Sequence, residues 1–258
     1  MKPNRIKNVL KSGGVALGFG VLTFSPGVIE VAGRAGVDFI WLDLEHSGIS
    51  PYDSVSMENM VRTIENLGLV AIVRSPENNE SMIGKILDAG VHSILVPGIN
   101  SKDETIRMVA AAKYRTKGFS SVRGAPVSRA SGWVAPDIAF VEGSDSQLMV
   151  GATIESKEGV QNLDEILSVN GLDYIFVGPA DLSLSLGFPF ETTHATVKEY
   201  IAKIRNSCLR KGMPVGIAAP DVEAAKNAIS DGFRIIRIGV DLPMISKTLT
   251  SLVNEIRG

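Results

Sequence analysis

The run Met149–Gly187, MVGATIESKEGVQNLDEILSVNGLDYIFVGPADLSLSLG, holds two short apolar segments, Met149–Ile154 and Tyr174–Val177. Each delivers an acid at or just past its end, Glu155 after the first and Asp181 after the second. Between them Val160, Leu163, Ile166 and Leu167 recur at helical spacing, which predicts a helix over 157–169. Strand, helix, strand is a βαβ unit, and its two strands run parallel. Glu155 and Asp181 are therefore expected side by side at the carboxyl ends of neighbouring strands, the face where parallel α/β folds bind ligands. Two adjacent carboxylates repel unless a proton or a cation lies between them. Two readings stand: a hard divalent cation such as Mg²⁺ or Mn²⁺ between the acids, or two separate helix-start carboxylates acting as caps. Gly178-Pro179-Ala180-Asp181 adds a tight turn, and Leu182-Ser183 a short helix whose first N–H groups can hold an anion.

Working outward, the same alternation repeats. Strands are predicted at 15–22, 37–42, 69–73, 93–96, 214–218 and 234–238, besides the two above. Helices are predicted at 26–35, 57–67, 81–87, 102–113, 197–209, 222–229 and 243–256, with a short one at 136–141. Eight strand–helix units with right-handed crossovers make a single (β/α)₈ barrel spanning 1–258, an α/β fold. A long segment, about 114–148, interrupts the rhythm. Its first part carries Gly118, Gly124, Pro126 and Gly132 among Arg115, Lys117, Arg123 and Arg129, and loops this long are usually functional or interfacial.

Several strand ends carry chemistry. Asp43-Leu44-Glu45-His46 follows the second strand, and a histidine there, of a residue type whose ordinary pKa lies near neutrality, suits proton transfer or a structural role. Arg74 ends the third strand before Ser75-Pro76, placed either for an oxyanion or for a surface ion pair. Asp88 closes a helix. His92 and His194 precede a strand and a helix and read as structural. No lysine ends a predicted inner strand, which disfavours a Schiff-base enzyme.

Composition narrows the class. The 258 residues suffice for one large core, and a net charge of −2 gives no electrostatic case for nucleic acid or an anionic membrane. The single cysteine, Cys208, excludes an intrachain disulfide and a cysteine-based zinc cluster. No signal-peptide or membrane-spanning run is present in the given sequence, so a soluble cytoplasmic protein is expected.

The segments IESKEGVQNLDEI and GLDYIFVGPADLSLSLG, with Asp43, Glu45 and His46, resemble the HpcH/HpaI aldolase family, the metal-dependent pyruvate aldolases, over roughly residues 10–255. The resemblance implies a lyase that cleaves a 4-hydroxy-2-oxo acid to pyruvate and an aldehyde through an enolate held by a divalent metal, Mg²⁺ first, with Mn²⁺ or Co²⁺ as alternatives. It implies Glu155 and Asp181 as metal ligands, Arg74 on the pyruvate oxyanion, and His46 for acid–base chemistry with Asp88 as its partner. It further implies a substrate site at Thr153, Gly178, Ala180 and Asp181, and a homo-oligomer of trimers or hexamers. Alternative readings are a metal-enolate decarboxylase, an acyl-thioester lyase, or a keto-acid-binding barrel without turnover. The chain departs from the family at Leu44, where several members have Gly, at Thr153, where Gln is common, and at Lys117-Gly118-Phe119-Ser120, where an Arg-Gly pair is usual.

Overall fold

The computed structural model describes residues 3–114 and 120–258. In chain order its elements are α1 (Arg5–Lys11), β1 (Ala16–Val21), α2 (Pro26–Arg34), β2 (Phe39–Asp43), α3 (Ser54–Asn66), β3 (Val70–Arg74), α4 (Glu80–Asp88), β4 (Ser93–Val96), α5 (Lys102–Ala112), α6 (Ile138–Gln147) and β5 (Met149–Ile154). Then follow α7 (Lys157–Gln161), α8 (Leu163–Ile166), β6 (Tyr174–Val177), α9 (Pro179–Ser185), α10 (Ala195–Arg210), β7 (Val215–Ala219), α11 (Val222–Ser230), β8 (Ile235–Val240) and α12 (Asp241–Arg257). The eight strands are parallel and close in sequence order, with β8 paired back onto β1. The (β/α)₈ barrel expected from the sequence is the fold.

Side chains alternate across each strand, so every strand feeds two cores. Outward-facing residues such as Ile40, Leu42, Val73 and Ile94 meet the helices in the larger one. Inward-facing Phe39, Trp41, Ile72, Leu95, Tyr174, Phe176 and Ile235 fill the barrel. Large inner rings require small neighbours. A Cβ on Gly18 would lie 2.0 Å from the Phe39 ring, and one on Gly151 2.2 Å from Tyr174.

The sequence reading missed α1. This helix closes the amino-terminal end of the barrel, with Ile6 fully buried against the inner core and Val9 and Leu10 packed beside it. Asn4 caps it and ties it down, its Nδ2 donating to the carbonyls of His92 and Gln147 at 3.0 Å each. The helix predicted over 157–169 is two pieces. It breaks at Asn162, whose side chain donates to the Asn100 carbonyl at 2.8 Å, while Gly159 lies too close to the Ile99 carbonyl to admit a Cβ. Of the segment about 114–148, residues 120–137 are loop and α6 follows them. These described residues lead into the start of β5, so they lie at the amino-terminal end of the barrel, opposite the face where strands end. Arg129 fastens them there, pairing with Glu65 at 2.7 Å and donating to the Ala89 carbonyl at 2.8 Å. Arg115, Lys117, Gly118 and Phe119 lie outside the described residues. Among the described residues, no helix is long and apolar enough to cross a membrane.

Candidate active site

The carboxyl ends of β2, β3, β5 and β6 assemble the site. Asp43 and Arg74 end β2 and β3 in register with one another, and both turn inward. Arg74 Nε donates to Asp43 Oδ1 at 3.0 Å, and its Nη2 pairs with Asp43 Oδ2. Arg74 Nη1 lies 2.7 Å from Glu45 Oε2, an ion pair without hydrogen-bond alignment. The N–H groups of Glu45 and His46 donate to Asp43 Oδ1 at 3.0 and 3.3 Å, so Asp43 folds the loop that presents both residues. Burial opposes the Asp43 charge, but the Arg74 hydrogen bonds and charge outweigh it and hold the carboxyl below its ordinary value. Burial likewise works against the Arg74 charge, and Asp43, Glu45 and Glu155 together more than restore it. Arg74 is therefore no surface ion pair; its side chain is 12% exposed.

Glu155 follows β5 and caps nothing, because Ser156 is the N-cap of α7 and accepts from the Gly159 N–H. Its Oε1 instead accepts the Gly98 N–H at 2.7 Å, across the β4–β5 pair. Gly178 presses on it from β6: a Cβ there would fall 2.4 Å from Glu155 Oε2 and 2.8 Å from its Cβ. Burial, aided by the charges of Asp181 and Glu45 and opposed by the Gly98 N–H and Arg74, pushes the Glu155 carboxyl up to about 7. Glu45 is raised too, first by burial, with Asp43 and Asp181 adding to it against Arg74 and His46. Asp181 lies exposed in the first turn of α9, close enough for its charge to act on both glutamates. Pro179 begins that helix and Leu182 is the first residue to bond back to Gly178, leaving the N–H groups of Ala180 and Asp181 without an intrahelical acceptor.

Three acids thus converge, with Asp181 and Glu45 adding to the rise of Glu155 and Asp181 to that of Glu45, the condition a divalent cation relieves. Glu155 and Asp181 fit that role. Among the described residues, no cluster of three or more His, Cys, Asp or Glu side chains forms a cage for a metal, so these two acids suit a cation that keeps positions for water or substrate oxygens. Thr153 faces the same space two residues before Glu155, with its Oγ1 buried and unpartnered.

His46 stands at the mouth with its side chain 64% exposed, its Nε2 3.7 Å from Glu45 Oε2. Asp88, expected as its partner, is not brought to it within the chain. Asp88 ends α4, which returns from the end of β3 to the start of β4, and so lies at the amino-terminal end of the barrel. There it lines a cavity of about 240 Å³ with Glu80, Lys85 and Arg123. Burial raises its pKa against the pull of Arg123 and Lys85.

Two inner residues of the site escaped the sequence reading, Trp41 and Arg237. Trp41 carries two guanidinium groups against its ring, Arg74 at 5.7 Å and Arg237 at 5.0 Å from the centroid. Arg237 was legible only through strand parity: it stands two residues after Ile235 in an otherwise apolar strand, on the inward side.

Known proteins resemble this chain over nearly its whole length. A hydroxypyruvate/pyruvate aldolase of Paraburkholderia phytofirmans is 32% identical over 259 residues, with 98% of each chain covered. A 2-keto-3-deoxy-L-rhamnonate aldolase of Klebsiella pneumoniae is 30% identical over 95% of this chain and 90% of its own. The crystal structure of a family protein from Burkholderia cenocepacia superposes with a TM-score of 0.90 at 27% identity, covering 99% of this chain and 100% of that one. The family model for HpcH/HpaI aldolase/citrate lyase matches residues 17–247, and with the barrel and its acid pair in place the chain belongs to that family.

Proposed function

We propose that the protein is a divalent-metal-dependent aldolase that cleaves a 4-hydroxy-2-oxo acid to pyruvate and an aldehyde, with Mg²⁺ as the first choice of metal. The observation that carries this reading is the junction of Glu155 and Asp181 at the ends of β5 and β6, beside an arginine held by two further acids. Its aldolase relatives, similar over nearly their full length, support the reaction class.

A cation between Glu155 and Asp181 would supply Lewis acidity to the oxygens of a bound 2-oxo acid. The chain's own groups do the rest. Arg74 donates from Nε and Nη2 to Asp43 and holds Nη1 against Glu45 as an ion pair, which fixes its plane and leaves N–H groups on both terminal nitrogens for an oxygen on which negative charge develops. The N–H groups of Ala180 and Asp181 receive the substrate carboxylate. Thr153 Oγ1 and Gly178 line the same pocket. His46, exposed at the mouth and near Glu45, moves protons to and from the hydroxyl of the cleaved bond through a water.

Asp88 enters this scheme from a second copy of the chain. It lies at one end of the barrel and His46 at the other, so an Asp88–His46 pair forms only between subunits. Assembly into a homo-oligomer is supported independently by α12, which leaves Leu249, Leu252, Val253 and Ile256 exposed. The deciding experiment is pyruvate release from a 4-hydroxy-2-oxo acid before and after EDTA, with Mg²⁺ added back. Release lost to EDTA and restored by Mg²⁺ is expected; release indifferent to EDTA would remove the metal from the scheme.

A further inference from the structure

Among the described residues, Arg237 is the one strongly basic side chain in the inner site that the aldolase scheme leaves without work. It rises from β8 on the inward side, beside Ala218 of β7 and Gly18 of β1 in the strand register. Its guanidinium lies against the Trp41 ring, 5.0 Å from the centroid. Among the described residues it donates no hydrogen bond and forms no ion pair within 4.0 Å. Its nitrogens are not among the buried orphan atoms, so they open on space that solvent reaches. Burial, with Arg74 nearby and Asp43 pulling the other way, lowers its pKa to about 10, which leaves it charged at neutral pH.

A half-buried guanidinium with all its donors free is an unfinished interaction, because a desolvated charge is stable only beside a counter-charge. Asp43 does not finish it, being already engaged by Arg74 and by two backbone N–H groups. The charge balance points the same way. Asp43, Glu45, Glu155 and Asp181 bring four negative charges; Arg74 offsets one and a divalent cation would offset two. Without Arg237 the loaded site would stay negative towards an anionic substrate.

We propose that Arg237 is a substrate-binding residue that receives a carboxylate of the substrate at the inner end of the site, against the Trp41 ring. The proposal rests on the aldolase reading and adds to it a second cationic contact. Two sources can present that carboxylate, the 2-oxo acid itself or an acidic aldehyde partner, and the planar fork suits either.

The test compares native protein with Arg237→Met, which keeps the length of the side chain on Trp41, and with Arg237→Lys, which keeps the charge but not the fork. Pyruvate and oxalate binding are measured by calorimetry with Mg²⁺, and aldol addition is compared for glyoxylate against glycolaldehyde. If the 2-oxo acid is the source, Arg237→Met weakens pyruvate binding about tenfold or more, and Arg237→Lys weakens it less. If the aldehyde is the source, pyruvate binding stays and the preference for glyoxylate over glycolaldehyde collapses by a similar factor. Either result upholds the carboxylate role. Pyruvate affinity and aldehyde preference both unchanged, with only kcat or stability lower, make Arg237 a mere support for Trp41 and overturn it. Should Arg237→Met fail to fold, Arg237→Lys decides: a native binding profile sinks the proposal. A native protein that binds no 2-oxo acid in Mg²⁺ overturns the aldolase reading and this proposal together.

Discussion

Glu155 shows how one residue ties the site to solution conditions. In the metal-free folded chain its carboxyl holds a proton up to about pH 7, against an ordinary value of 4.5. The folded state therefore binds more protons than the unfolded state between those values. The stability this group contributes is full below the ordinary value and is lost as pH rises towards 7. In EDTA, urea midpoints of the native protein should fall across that window relative to Glu155→Gln, in which this slope is absent; parallel profiles would mean the carboxyl is not raised. Arg74→Lys tests geometry separately from charge. A point charge cannot span Asp43 and a substrate oxygen at once, so kcat is expected to fall by about 10²-fold or more. Near-native turnover would show that the fork does not act on the reacting oxygen. The acids at strand ends were legible in the sequence because each interrupts an apolar run. Trp41 and Arg237 escaped, since they lie inside strands, where parity is the sole mark and the closed barrel is needed to tell which parity faces the ligand.

Elements were legible where hydrophobic periodicity and punctuation agree. The strands at 93–96, 149–154 and 174–177 match the structure, each bounded by polar or turn residues. The single helix expected over 157–169 breaks because Asn162 bonds to a distant carbonyl, a tertiary contact that spacing cannot reveal. Helix α1 was missed although Asn4, Ile6, Val9 and Leu10 carry a cap and a helical stripe; seven residues fall short of what an isolated helix needs. Its stability comes from plugging the barrel, so Ile6→Ala should cost about 2–5 kcal/mol in urea unfolding. Mg²⁺ affinity should hold, because α1 closes the end opposite Glu155 and Asp181. A large loss of metal affinity at unchanged stability would contradict that separation.

At the scale of the whole molecule, the active site and the loop residues 120–137 occupy opposite ends of one barrel. The segment's length pointed to a functional or interface loop; its place between α5 and α6 moves the described part away from the chain's own site. If Asp88 serves His46 of a neighbour, neither His46→Ala nor Asp88→Ala retains an intact pair alone. Co-expressed, the two variants should form mixed oligomers in which some sites regain both groups, recovering up to about a quarter of native activity if subunits mix at random. No recovery in proven mixed oligomers would place both groups in one subunit's chemistry or remove Asp88 from it. The closure of β8 onto β1 carries a further consequence. Asp241 accepts from the backbone of Leu22 and Thr23, residues 219 and 218 positions away, and Ala16 pairs with Ile235. A nascent chain cannot make these contacts until β8 and Asp241 have left the ribosome. Until then β1 waits with an open edge, so the eighth strand decides whether the first is protected from aggregation.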